Sequence, residues 1–383
     1  MKTGYGSWIV SDIQIPDLLK RHRSFYFCCV VMLLAACKGR ELDPLAFEPP
    51  IFPDTLHRTV TCLHNDFLFD NNSLIHDLGT HILTRTFRAN LTNHYMHIFD
   101  KETGAYVKSF GSDGRGPGEF HMNPRIRINE DGTKLYAFQW FGLQDYWSYD
   151  VATILDDKPV RPVREDRIVL YLDEGKRFPG GTNNFLAWQD KRLFVRNHLH
   201  RFEIQDTSGN TLYLCNQYPI IPLKQGSDST VISSSYVYAT LALKPDMTKF
   251  VITIPTGCIV EIFDIEASGS IEKTIEKRFF LPILGQDSPS QIPSSVEGES
   301  IQGIYELFAT DEFIYAKYSG KLYYGNDKYL TNTIAVFDWL GNPIRLYVLD
   351  WNIYHFFVDS QRNRCYLIGI DADDEIPLGY FDL

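Results

Sequence analysis

From Arg58 onward the hydrophobic positions come in short runs, some alternating with polar positions and some wholly apolar, each bounded by Gly, Asn or Asp. No segment sustains the three-to-four-residue spacing of a long amphipathic helix, so the pattern predicts an all-β fold. One phrase recurs: an apolar or aromatic strand ending in Asp, a tight turn, then another strand. It reads YMHIFDKETGAYVKSF at Asp100, DYWSYDVAT at Asp150, RFEIQDTSGNTLYL at Asp206, VEIFDIEASGSIEK at Asp264, IAVFDWLGNPIRLYVL at Asp338 and GYFDL at Asp382. The intervals are 50, 56, 58, 74 and 44 residues. Repeats of this size made of short strands predict propeller blades of four antiparallel strands each.

Asp suits the end of the third strand because its carboxylate accepts hydrogen bonds from turn amides two residues on. Gly104, Gly209, Gly269 and Gly341 follow it and supply the backbone freedom of the turn. The preceding phrases, RIRINEDGTKLYAFQW and LALKPDMTKFVITIP, fit the first two strands of a blade, with an Asp-containing turn of their own. The chain ends one residue after the sixth Asp, which leaves the last blade without a fourth strand. RTVTCLH, Arg58 to His64, has strand character and precedes the first blade; as the missing strand it would remove an open sheet edge. The prediction is therefore six blades, the last closed by an N-terminal strand. A seventh blade is the alternative, hidden in the 74-residue interval between Asp264 and Asp338. The polar stretch QDSPSQIPSSVEGESIQG and the insertion YSGKLYYGNDKYLTN account for that excess more simply.

GSDGRGPGEF, Gly111 to Phe120, is the glycine-richest stretch and invites comparison with a phosphate loop. Such a loop needs a following helix whose N-terminus faces the anion. Here RIRIN alternates like a strand, no Lys-Ser/Thr follows, and Pro117 removes a backbone donor. The stretch is predicted to be a corner between the first and second blades. FGSDGRGPGEFHMNPRIRINEDG resembles the inter-blade phrase of NHL-type propellers, in which a Gly-Pro-Gly-x-Phe turn leads through a proline into the inner strand. Together with HIFDKETG and the N-terminal motif described next, it resembles the TolB-like six-bladed propeller lipoproteins. The resemblance extends from about Leu34 to Leu383, with the later blades matching in rhythm alone. It implies a cell-envelope propeller and brings no established catalytic residues.

The N-terminus stands apart. Lys20, Arg21 and Arg23 precede the apolar run Phe25 to Cys37, which is too short to span a bilayer. Leu34-Ala35-Ala36-Cys37 resembles the bacterial lipobox, which implies acylation of Cys37 and cleavage before it. This divides the chain into a signal peptide (1–36), a lipidated tether (37–57) and one propeller domain (58–383), with a start codon downstream of Met1 as an open alternative. The expected location is the cell envelope, lipid-anchored to a bacterial membrane, the outer membrane in particular, facing the periplasm or the surface. Cleavage removes four cations and two carboxylates, taking the net charge of −11 to −13. Phosphate is repelled by such a surface, so no nucleic-acid partner is expected. The cysteines of the mature domain, Cys62, Cys215, Cys258 and Cys365, match no zinc spacing and are expected as buried free thiols.

Propeller ligands usually bind over the central channel, on the face carrying inter-blade links and the loops from second to third strands. On the predicted strands that face carries Arg115, Trp140, Gln144, His198, Tyr323, Tyr324 and Asp371. Aromatics with scattered amides and charges suit a glycan, a peptide or an envelope protein. The acidic run with Asp371, Asp373 and Asp374 is the candidate calcium site, because hard cations take carboxylate oxygens, but it lacks the central glycine and later Glu of an EF-hand. His198 and His200 would share a face of a strand, without an evident third ligand. No GxSxG, HExxH or cysteine-nucleophile signature occurs, and no cofactor is expected. The sequence reads as a binding or scaffolding lipoprotein; the alternative, a calcium-dependent lactonase-like hydrolase, rests on fold analogy alone.

Overall fold

A computed structural model describes residues 47–383 apart from 65, 68, 88–91, 117, 121–122, 130, 139–145, 157–159, 161, 166–184, 189–190, 196–200, 207–209, 222, 224–231, 233–234, 237–238, 267–268, 286–293, 296–298 and 323–329. Two short strands come first, β1 (Asp54–Arg58) and β2 (Thr61–His64). The first blade is β3 (Leu74–Leu78), β4 (His81–Arg85), β5 (His94–Asp100) and β6 (Tyr106–Ser112). The second is β7 (Arg125–Ile128), β8 (Lys134–Phe138), β9 (Tyr146–Asp150) and, after helix α1 (Val151–Leu155), β10 (Val163–Glu165). The third comprises β11 (Phe185–Trp188), β12 (Lys191–Val195), β13 (Phe202–Asp206) and β14 (Thr211–Cys215). The fourth comprises β15 (Thr240–Leu243), β16 (Lys249–Thr253), β17 (Cys258–Ile265) and β18 (Ile271–Phe280).

After the two-residue pair β19 (Leu284–Gly285) and β20 (Ser294–Ser295) come β21 (Ile304–Ala309), β22 (Phe313–Tyr318), β23 (Thr331–Asp338) and the long β24 (Pro343–Asp359). The first half of β24 pairs with β23 as the outer strand of the fifth blade. Its second half pairs with β25 (Arg364–Ile370) as the inner strand of the sixth, and β26 (Leu378–Asp382) lies beyond β25. The described residues thus form six four-stranded antiparallel blades, and the interval from Asp264 to Asp338 holds only the small β19–β20 pair besides the blades themselves.

The predicted closure is present. β2 pairs antiparallel with β26, Thr61 opposite Tyr380 and His64 opposite Leu378, completing the sixth blade. Gly379 is needed there, since a Cβ would lie 2.8 Å from both Trp351 and Val60. The closing segment also does more than expected. β1 runs parallel to β24, from Asp54 opposite Arg345 to Arg58 opposite Leu349, as a fifth strand on the outer edge of the fifth blade. Arg345 is paired with Asp54 at 2.7 Å, and Asp350 accepts from the Val60 amide at 2.9 Å. The compact propeller unit therefore begins before residue 58, inside the stretch read as tether, with the ring of Phe52 edge-on to Tyr318 and Phe337.

The recurrent Asp ends the third strand of every blade except the fourth, where Asp264 is followed by Ile265. Asp100 accepts from the Thr103 amide at 2.8 Å and Asp338 from the Leu340 and Asn342 amides at 2.9 and 2.8 Å. Asp150 caps α1 through the Thr153 amide instead of a hairpin, and Asp264 bonds Lys249 and Thr274 side chains. Inner and middle strands are wedged between blades and bury both faces. In β16, Phe250 and Ile252 enter the core shared with the third blade, while Val251 enters the core shared with the fifth. That is why these strands read as apolar runs, whereas an outer strand such as β14 (TLYLC) is largely exposed.

The glycine-rich corner joins β6 to β7 as predicted. Phe120, fully buried, donates its amide to Ser112 O at 2.9 Å, and the Gly116 amide donates to the Glu119 carboxylate at 2.7 Å. Gly118 sits at φ 77° with Pro162 2.5 Å from where a Cβ would be, so the turn requires glycine.

Candidate functional site

The first strands of neighbouring blades touch around the axis: β11 with β15, β15 with β21, β21 with β24 and β24 with β3. On this inner wall the described residues bring together a group that the sequence reading did not single out. In the first blade His76 pairs across to Leu83, and Arg85 to Leu74, on the face that packs against the second blade. In the sixth, His355 shares the face of Phe357 and Ile368, which looks toward the first blade. In the fifth, Glu306 and Lys317 are cross-strand partners on the face of Tyr315 and Ile334, toward the sixth. Arg125 and Arg127 lie on the face of β7 opposite Ile126. Each of these four blades therefore turns its polar inner residues toward the following blade.

His355 Nδ1 lies 2.9 Å from Glu306 Oε1, and Lys317 Nζ donates to Tyr354 O at 2.6 Å. Arg85 is 2% exposed, yet its Nε and Nη1 have no hydrogen-bond partner among the described residues. His76 Nε2 and Glu306 Oε2 are likewise buried and unpartnered. Burial pushes the Arg85 guanidinium down to about 9, helped by Arg125 and opposed by Asp70, so it stays charged at neutral pH. Burial lowers Arg125 to about 10 with help from Arg127. It also lowers Arg127 and Lys317, each partly offset by Glu306. His76 is held down to about 3 by burial, then by Arg127, His355 and Arg85, and is neutral. His355 is lowered by burial against the opposing pull of Glu306. Chemically this is a largely cationic, partly buried wall, in which Arg85 Nε and Nη1 and His76 Nε2 have no hydrogen-bond partner among the described residues.

Of the residues predicted for the channel face, Trp140, Gln144, His198, Tyr323 and Tyr324 lie outside the described residues, as do His200, Pro117 and Cys37. Arg115 is exposed in the corner between β6 and β7. Asp371 opens the turn from β25 to β26, and its carboxylate accepts from the amides of Asp373 and Glu375 at 2.9 and 3.0 Å. Asp373 and Asp374 are exposed in the same turn, with Asp374 at φ 61°. Among the described residues no group of three or more His, Cys, Asp or Glu side chains is arranged to hold a metal ion. The lactonase alternative rested on fold analogy; the described wall presents the Glu306 carboxylate among arginines, a lysine and histidines. The four cysteines are free thiols, three buried as expected, with Cys62 exposed on β2.

The blades, their order and their closure define a six-bladed β-propeller. The chain belongs to the TolB-like 6-blade propeller-like family, which it matches over residues 52–361. No curated protein matches it. Among solved structures, a member of the DUF4221 family from Bacteroides vulgatus ATCC 8482 superposes with a TM-score of 0.52 at 12% identity, covering 85% of this chain and 95% of that one. A Bacteroides fragilis NCTC 9343 protein, named as an exported protein, gives a TM-score of 0.49 at 12% identity, covering 85% and 98%. These likenesses are of fold. Among the described residues no helix is long and apolar enough to cross a membrane.

Proposed function

We propose that this chain is an exported binding propeller, held to a bacterial envelope membrane through acylated Cys37, with its ligand site at the central channel. The observation that carries the binding reading is Arg85: a guanidinium with 2% exposure whose Nε and Nη1 lack partners among the described residues. A buried charge without hydrogen bonds costs several kcal/mol by order of magnitude, and closure of the ring does not need it, because the apolar cores between blades already supply cohesion. A ligand entering the channel would complete its hydrogen bonding. The lipobox at Leu34 to Cys37 supports export and anchoring. The face around the channel suits an envelope protein, a peptide or a glycan.

The test is purification of the full lipidated chain from its own membrane, beside an Arg85→Gln variant, with retained proteins and small molecules identified by mass spectrometry. A molecule retained by the unmodified chain and lost from the variant is the expected result. Identical retention by both would refute a ligand site at this wall.

A further inference from the structure

We infer that the channel wall recognises a hydroxylated oxyanion, a carboxylate or phosphate on a sugar-like body, gripped by Arg85 and hydrogen-bonded by Glu306. This deepens the binding reading above and rests on it. The donor side is Arg85, whose Nε and Nη1, directed to different sides of one guanidinium, have no hydrogen-bond partner among the described residues. An oxyanion accepts from a buried N–H of this kind and adds a countercharge to that of Asp70, the carboxylate that acts on Arg85. The charges around it are mostly positive: Arg125 acts directly on Arg85, and Arg85 and Lys317 both act on His355.

The acceptor side is Glu306. Its Oε1 is engaged by His355 Nδ1 at 2.9 Å, while Oε2 is buried without a donor. A carboxylate oxygen in that state accepts from a hydroxyl and repels a second anion, so a bare inorganic ion would satisfy only half of the wall. His76 Nε2, also unpartnered, lies on the strand between the two and can donate or accept as its tautomer allows. One ligand bearing both an oxyanion and hydroxyls would satisfy all of these atoms. Neutral sugars would leave Arg85 uncompensated. The carboxylate and phosphate versions share this chemistry, and the measurement separates them.

The experiment is calorimetric titration of the folded chain with glucuronate, glucose 1-phosphate, inorganic phosphate and glucose. Saturable binding of at least one of the two charged sugars is expected, roughly tenfold or more tighter than either phosphate or glucose; the stronger of the two identifies the anion. Arg85→Gln should weaken that binding at least about tenfold, and Glu306→Gln should narrow the gap between charged sugar and inorganic phosphate. Arg85→Lys, which keeps the charge and loses the planar guanidinium donors, should recover only part of the affinity. Melting of each variant without ligand shows whether it folds; Arg85→Gln should melt no earlier than the unmodified protein, because it removes an unpaired buried charge. Glucose binding as tightly as the charged sugars would overturn the inference, as would full affinity in folded Arg85→Gln. Failure of both charged sugars while an Arg85-dependent partner is still retained from the membrane defeats the ligand class and leaves the binding reading standing.

Discussion

Burial keeps His76 neutral down to about pH 3 and His97 down to about 4. For His76 the surrounding Arg127, His355 and Arg85 add to the effect, and for His97 the neighbour is His94. In the unfolded chain both would titrate near 6.5, so below that pH the unfolded state binds protons that the folded state refuses. Stability is thus complete above about pH 6.5 and falls as pH drops toward the folded values. Between pH 7.5 and 5 each histidine accounts for about 2 kcal/mol of loss. His76→Gln should reduce the acid sensitivity by about that amount in urea unfolding at the two pH values, and an unchanged difference between them would show that His76 is not held neutral. None of this was visible in LIHDL or RIRI. A charged residue alternating with Leu or Ile reads as the solvent side of a strand, but an inner propeller strand has no solvent side. Charges at Arg125 and Arg127, two apart on such a strand, face the channel or the next blade, and that was the signal available.

The seam between the first and sixth blades carries a second buried charge, and this one is compensated. Lys101, with a fully buried side chain, bonds Asp77 of β3 and, at 2.9 Å, Asp359 of β24, with the rings of Phe357 and Tyr366 beneath its ammonium. Lys101→Met would leave two carboxylates facing each other at the closure, and should cost about 3–5 kcal/mol in equilibrium unfolding. A loss under about 1 kcal/mol would show that the seam does not depend on it. The closing strand makes a larger contribution. Deleting 58–64 removes β2 and exposes the edge of β26, while deleting 42–50 takes from the described residues the backbone bond from Glu48 to Arg278 at 3.1 Å and no strand. The first truncation should melt far earlier than the second, and equal midpoints would contradict closure by β2. The blade plan was legible because Asp turns and strand ends are local chemistry, repeated at Asp100, Asp206 and Asp338. β1 was not legible, since its partner lies in β24, some 290 residues away, and DTLHR carries no signature of that pairing.

Taken whole, the molecule sets an acidic chain, of net charge −11, around a cationic wall. The acidic outer surface keeps neighbouring copies apart, and the cationic wall would favour an anion only once it is inside the channel. The proposed anchoring adds a second consequence. Cys37→Ala should abolish acylation and leave unprocessed precursor, read by mass spectrometry and membrane fractionation. A variant still acylated and membrane-bound would remove the lipobox reading, and with it the placement in the envelope. The gathering of Arg85, Glu306 and His355 arises only when the ring closes, so no local stretch of sequence could announce it. The most direct measurement of the wall's role is an anomalous difference map from crystals of the folded chain soaked in selenate, an oxyanion that locates itself by its own scattering. An oxyanion site at this wall predicts a peak in the channel, with a selenate oxygen about 2.7–3.2 Å from Arg85 Nε or Nη1. Selenate found only on the outer surface, with those two atoms bonded to other protein groups, would contradict it.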